Sequence, residues 1–222
     1  MLGNILIEYF LKGGPVMWPI LITAVVAVAV IGERIIWWWR ESLKRDPETL
    51  EKVFGAIEAG EFREASRLAK DSPDPIIRMI WHGMSHFHSS LQGALQVAAG
   101  VELQKAGRFL TVMDTLVTLA PLLGLLGTVS GIFRTFLSIG SATVEGATGQ
   151  ITGGIGEALI ATMCGLAIAI LALIPFNYFT RRVAQLQFEL ETAATNVEVM
   201  VTAAKQKGFD TVEFRREDAQ TP

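Results

Sequence analysis

The chain has 222 residues, half of them hydrophobic and 18% charged, with a formal net charge of −3. That balance, without any basic block or aromatic–basic interleaving, excludes an electrostatic nucleic-acid binder. Cys164 is the single cysteine, so an intrachain disulfide is excluded too, and a small buried hydrophobe is its expected role.

Apolar runs approach or exceed the roughly 20 residues that cross a bilayer, and strongly polar segments separate them. The spacing predicts an all-α integral membrane protein: three transmembrane helices with long cytoplasmic helical extensions. An arm of residues 1–15, ending Lys12-Gly13-Gly14-Pro15, leads into the first span at 16–39. A cleaved signal peptide fits poorly there, because positive charge follows the run and no small-residue cleavage site does. Trp37, Trp38 and Trp39 read as an interfacial anchor, with Glu33 and Arg34 close enough to the end to snorkel.

Residues 40–108 form the expected cytoplasmic helical domain. Pro47-Glu48-Thr49-Leu50 opens an amphipathic helix that ends at Gly60, 61–70 reads as its antiparallel partner, and Ser72-Pro73-Asp74-Pro75 breaks the pattern. From Ile76 to Arg108 helical periodicity runs on into a second span at 109–138. A turn at 139–153 and a third span at 154–179 follow. The tail, 180–222, continues as helix to about Lys207, with apolar Val183, Leu186, Leu190 and Val197 at helical spacing, and its last dozen residues are expected to be disordered.

Lysine and arginine orient the spans: 40–108 carries ten, the tail six, the N-terminal arm one and the 139–153 turn none. The positive-inside rule puts the domain and the tail in the cytoplasm, with the N-terminus and the turn outside.

Polar groups inside spans are costly and usually line a bundle interior or an ion path. The second span holds Thr128 and the third Thr162, seventeen residues either side of a hairpin folded near Glu145. At 1.5 Å per residue the two sit at about the same depth. Gly124 and Gly131 share a face with Thr128, as Ala158 and Gly165 do with Thr162. Such small-residue faces, Gly127 included, let helices approach closely. A lone membrane threonine ordinarily bonds back to a carbonyl one turn earlier. Its hydroxyl can also donate and accept, and so relay protons through water. Glu157 lies about two turns inside the third span, where it can complement the helix N-terminus or pair with Arg134 at matching depth. Asp114, near the cytoplasmic end of the second span, suits a water-filled vestibule.

His82 and His86 have metal-ligand spacing but no third ligand nearby, and His88 adds none, so a packed or solvated face is expected. The glycines of the second span lack the lysine and strand of a phosphate loop. No nucleophile motif is present, and the expectation is that the chain is not an enzyme.

Ala120-Pro121-Leu122-Leu123-Gly124-Leu125-Leu126-Gly127-Thr128-Val129 and Gly154-Ile155-Gly156-Glu157-Ala158-Leu159-Ile160-Ala161-Thr162, in this order and joined by a hairpin, resemble the MotA/TolQ/ExbB family of proton-driven motor channels. The resemblance covers essentially the whole chain. The Gly13-Gly14-Pro15-Val16-Met17-Trp18-Pro19-Ile20 segment makes the ExbB branch the closest, and three spans argue against MotA. Phe176, where the family often has tyrosine, is a minor departure.

The resemblance implies a proton-channel subunit of an inner-membrane motor, with Thr128 and Thr162 lining the proton path and Glu157 a sensitive channel position. It also implies a homopentamer around an ExbD-like single-span partner carrying a membrane aspartate. A TonB-like protein would deliver the work, lipids would surround the ring, and no cofactor would be needed beyond the proton gradient. The expected location is the bacterial inner membrane, multi-pass, N-terminus periplasmic and C-terminus cytoplasmic. Three other readings stay open: a TolQ-like motor for envelope maintenance, a partner-independent solute pore, and a scaffold whose threonines only pack helices.

Overall fold

The computed structural model describes residues 8, 10–85, 90–139 and 144–206. Besides helical residues at 8 and 10–12, its described residues form seven helices and no strand: α1 Met17–Ser42, α2 Pro47–Glu58, α3 Phe62–Ala69, α4 Pro75–Ser85, α5 Leu91–Ala106, α6 Leu110–Ile139 and α7 Val144–Gln206. The chain divides into two units, Met1–Ile35 with Phe109–Thr180, and Ile36–Arg108 with Arg181–Pro222, so α1 and α7 contribute to both. His86, His88 and the tail beyond 206 lie outside the described residues.

The first unit holds the apolar parts of α1, α6 and α7, the three helices long and apolar enough to cross a membrane. Each buries a narrow stripe at helical spacing. On α1 it comprises Met17, Ile20, Thr23 and Ala27, and on α6 Met113, Leu116, Ala120, Gly124, Gly127, Gly131 and Thr135. On α7 it comprises Ala158, Ala161, Gly165, Ala169 and Ala172. Met17, Ile20 and Ala161 form a small core with Val16, Leu123 and Ile168 against it. Only 22–28% of each most apolar stretch is buried within the chain. The rest, including Ile22, Val25, Leu125, Phe133, Leu166 and Ile170, faces outward. Such surface is stable only against lipid or other apolar helices. The chain is therefore a multi-pass membrane protein. Pro121 and Pro175 lie inside α6 and α7, as bilayer helices tolerate.

The sequence differs from the structure at three places here. Arg34 does not snorkel: it is fully buried, bonds Glu33 and lies 5.7 Å from the Phe109 ring centroid. A neighbouring carboxylate and an aromatic face supply what interfacial water would otherwise provide. The helix read as running from Ile76 into the second span is three helices. Ser90 caps α5 by accepting from Gly93 N at 3.2 Å, and α5 closes at Gly107. Phe109 then takes φ +65°, which ends any continuous helix before α6. Finally, α7 begins at Val144, inside the segment read as a turn, and runs unbroken to Gln206.

The second unit is a small helical domain in which α2 packs on α3 and α4 on α5. Its buried residues include Val53, Ile57, Ile77, Met79, Ile80, Leu95, Leu190 and Val197. Asp46 caps α2 by accepting from Thr49 N at 3.0 Å. The buried Asp74 carboxylate accepts from Asp46 N at 2.9 Å and Ile76 N at 2.8 Å, so it ties the starts of α2 and α4 together. Arg78 bridges two buried acids, reaching Glu102 at 2.6 Å and Glu41 at 3.1 Å, with Lys105 and Lys44 on their far sides. Burial pushes the Glu102 carboxyl up, but hydrogen bonds from Arg78 and Lys105 outweigh it and hold the group below the usual carboxylate range.

Candidate functional site

The conspicuous feature of the first unit is how closely α6 and α7 approach. A methyl on Gly127 would lie 2.5 Å from Ala161 Cβ, and one on Gly131 3.1 Å from Ala158 Cβ. At Gly124 it would lie 3.0 Å from Thr162 Cα, and at Gly165 2.5 Å from the Ala120 carbonyl oxygen. Small residues on both faces bring the backbones into direct contact, a packing that compensates for the missing hydrophobic drive between helices in lipid.

Within this seam the two threonines behave differently. Thr162 Oγ1 donates across the interface to the Gly124 carbonyl at 2.9 Å and lies 3.4 Å from its own helix's Ala158 carbonyl. Thr128 Oγ1 donates at 2.7 Å to the Leu125 carbonyl, one turn back on α6. The ladder of contacts sets Thr162 opposite Gly124, so the hydroxyls are offset by up to about one turn, roughly 5.4 Å, rather than level. The reason is the hairpin register, which small-residue packing fixes. Both threonines remain half-buried. Their hydroxyls therefore line one strip of the hairpin, each with oxygen lone pairs left to accept.

Arg134 Nη2 donates to Glu157 Oε1, joining α6 to α7 beyond the threonines. Arg134 Nε also donates to the Ser130 carbonyl at 3.3 Å. Gly14, ahead of α1, has φ +74°, and a Cβ there would fall on the Glu157 carboxylate and 3.1 Å from Arg134 Nη2. Thr135 sits against Gly154 and donates to the Gly131 carbonyl at 2.9 Å. Asp114 is exposed near the opposite end of α6, where its backbone carbonyl accepts from Thr118 Oγ1 at 3.2 Å. It does not join the threonine–glutamate group.

Sequence reasoning passed over Gly14, Thr135 and the buried Arg34 as site residues. A double glycine before a proline is the local signal at Gly14, but its contact with position 157 is long-range. No group of three or more metal-ligating side chains occurs among the described residues.

Residues 72–192 match the MotA/TolQ/ExbB proton channel family. Relatives include biopolymer transport protein ExbB-like 1 of Synechocystis, 35% identical over 78% of this chain and 69% of its own length. ExbB-like 3 of the same organism is 34% identical over 76% of this chain and 82% of its own length. The Tol-Pal system protein TolQ of Pseudomonas aeruginosa is 36% identical over 62% of this chain and 54% of its own length.

Proposed function

The chain belongs to the MotA/TolQ/ExbB proton channel family, and we propose that it is the ring-forming subunit of an ExbB–ExbD-like motor. In this reading it turns proton motive force into mechanical work for TonB-dependent transport at the outer membrane. One observation carries the reading: the close-packed α6–α7 hairpin presents two half-buried hydroxyls within about one turn, with Thr162 tied to the Gly124 carbonyl.

The outward apolar faces of α6 and α7 ask for further helices. Copies of this chain supply them in a pentamer, with α6 and α7 around the centre and α1 toward lipid. A single-span partner carrying a membrane aspartate occupies the centre. Its carboxylate takes up a proton delivered along the threonine strip, loses its charge, and with it part of its attraction to the hydroxyl wall. Deprotonation on the other side restores that attraction one position on, and the partner turns. Each proton brings about 2.3 kcal/mol per 100 mV of membrane potential. Thr128 and Thr162 are the relay and docking groups of this chain, Asp114 belongs to the inner vestibule, and no cofactor takes part. The chain sits in the inner membrane with its N-terminus outside and its C-terminus in the cytoplasm.

Cysteines placed in turn at Leu125, Val129, Leu159 and Met163 should cross-link to an aspartate-bearing single-span protein encoded beside this chain. Cross-links only between copies of this chain, with transport by the chain alone, would replace the motor reading with a solute pore. The similarity to TolQ supports a second reading, a motor for envelope maintenance. Deletion decides between them: loss of receptor-driven uptake marks the first, and loss of envelope integrity with uptake intact the second.

A further inference from the structure

Three segments meet at Glu157: the lead-in to α1, α6 and α7. Arg134 is held at two points, its Nη2 on Glu157 and its Nε 3.3 Å from the Ser130 carbonyl. Gly131 against Ala158 and Thr135 against Gly154 bracket the pair along the helices, so neither helix can withdraw without breaking its packing. Gly14 closes the third side. Its φ of +74° favours glycine, and the space a side chain would need is occupied by the Glu157 carboxylate.

The other described charges of the lead-in and of α6 are engaged or distant. Lys12 and Glu8, on the same lead-in, bond each other at 2.6 Å. The remaining charged residue of α6, Asp114, is twenty positions from Arg134, about 30 Å along the axis. Cys164 and Thr162, further along α7, are neutral. A glutamate that cycles its proton must spend part of each cycle uncharged. Here that state would leave Arg134, whose guanidinium cannot release its proton, without its carboxylate partner.

We propose that Arg134 and Gly14 are positioning residues that hold Glu157 as an immobile counter-charge to Arg134. The group fastens the α1 lead-in to the α6–α7 hairpin and does not take up or release the translocated proton. This deepens the reading of the chain as a proton-path subunit and rests on it.

The test uses the full-length chain with its native single-span partner in proteoliposomes. Arg134→Gln and Glu157→Gln should each lower the assembled fraction by about tenfold, a half-exposed pair being worth less than a fully buried one. The exchange Arg134→Glu with Glu157→Arg should restore assembly and most of the gradient-driven proton flux, with an unshifted pH profile. An exchange that assembles fully but passes no protons overturns the proposal, because arginine cannot stand in for a proton carrier. Infrared spectra under an imposed gradient decide the matter even if the exchange fails to assemble. A protonated glutamate band that grows with the gradient and disappears in Glu157→Asp overturns the proposal, and its absence supports it. Should the wild-type complex itself pass no protons, the proton-path reading fails instead, while the spectra still report the charge of Glu157.

Discussion

Gly165→Ala should pry α6 and α7 apart. The new methyl would lie 2.5 Å from the Ala120 carbonyl oxygen and 3.0 Å from Gly124 Cα. Both are backbone atoms, so no side chain can swing aside, and the cost belongs at the upper end of overpacking, about 3 kcal/mol. Separation also stretches the Thr162–Gly124 hydrogen bond, worth about 0.6 kcal/mol in a membrane protein. Alanine returns about 1 kcal/mol of helix propensity. The net is about 2.6 kcal/mol, roughly a seventyfold fall in the folded-to-unfolded ratio. The assay is unfolding of the full-length chain in mixed detergent, followed by circular dichroism. Gly55→Ala on α2 serves as the comparator, since nothing lies within 4 Å of its added methyl. It should stabilise by up to about 1 kcal/mol. Equal stability of the two variants would refute backbone contact as the basis of the hairpin.

In the second unit, Arg78→Met should cost about 3 kcal/mol, because it leaves Glu102 and Glu41 buried without their shared cation; thermal unfolding checks it. The depressed Glu102 carboxyl stabilises the fold above its unfolded value, about pH 4.3, and that contribution disappears as pH falls through the lower folded value. The melting temperature should therefore drop on acidification below about pH 4, and Glu102→Gln should flatten that dependence. Gly14→Ala should destabilise the first unit more than Pro15→Ala does, and less so in a Glu157→Ser background, where the space is vacated. Additive effects in that cycle would count against the contact.

Apolar run lengths made the three spans legible, because a bilayer demands uninterrupted hydrocarbon-compatible sequence. Helical spacing likewise marked the small-residue faces, and matched depth drew Arg134 and Glu157 together. Features that depend on tertiary contact were not legible. Arg34 looked interfacial because nothing local reveals the Phe109 ring beside it. Phe109 itself adopts a backbone conformation that its bulky side chain disfavours, so its residue type argued against the break found there. Gly14 gave no local sign of its neighbour at Glu157. The half-turn-to-one-turn offset between Thr128 and Thr162 arises from hairpin register. Only the packing of Gly124 on Thr162 and Gly127 on Ala161 fixes that register.

Proton flux through the assembled complex, measured with Thr128 and Thr162 each replaced by alanine and by serine, tests the central claim most directly. Alanine keeps the close helix packing but removes the hydroxyl, so flux and proton-driven work should fall while the ring still assembles. Serine keeps donor and acceptor and should retain more of both. Equal loss with serine and alanine would show that the methyl groups and packing matter, and would contradict a hydroxyl-lined proton path.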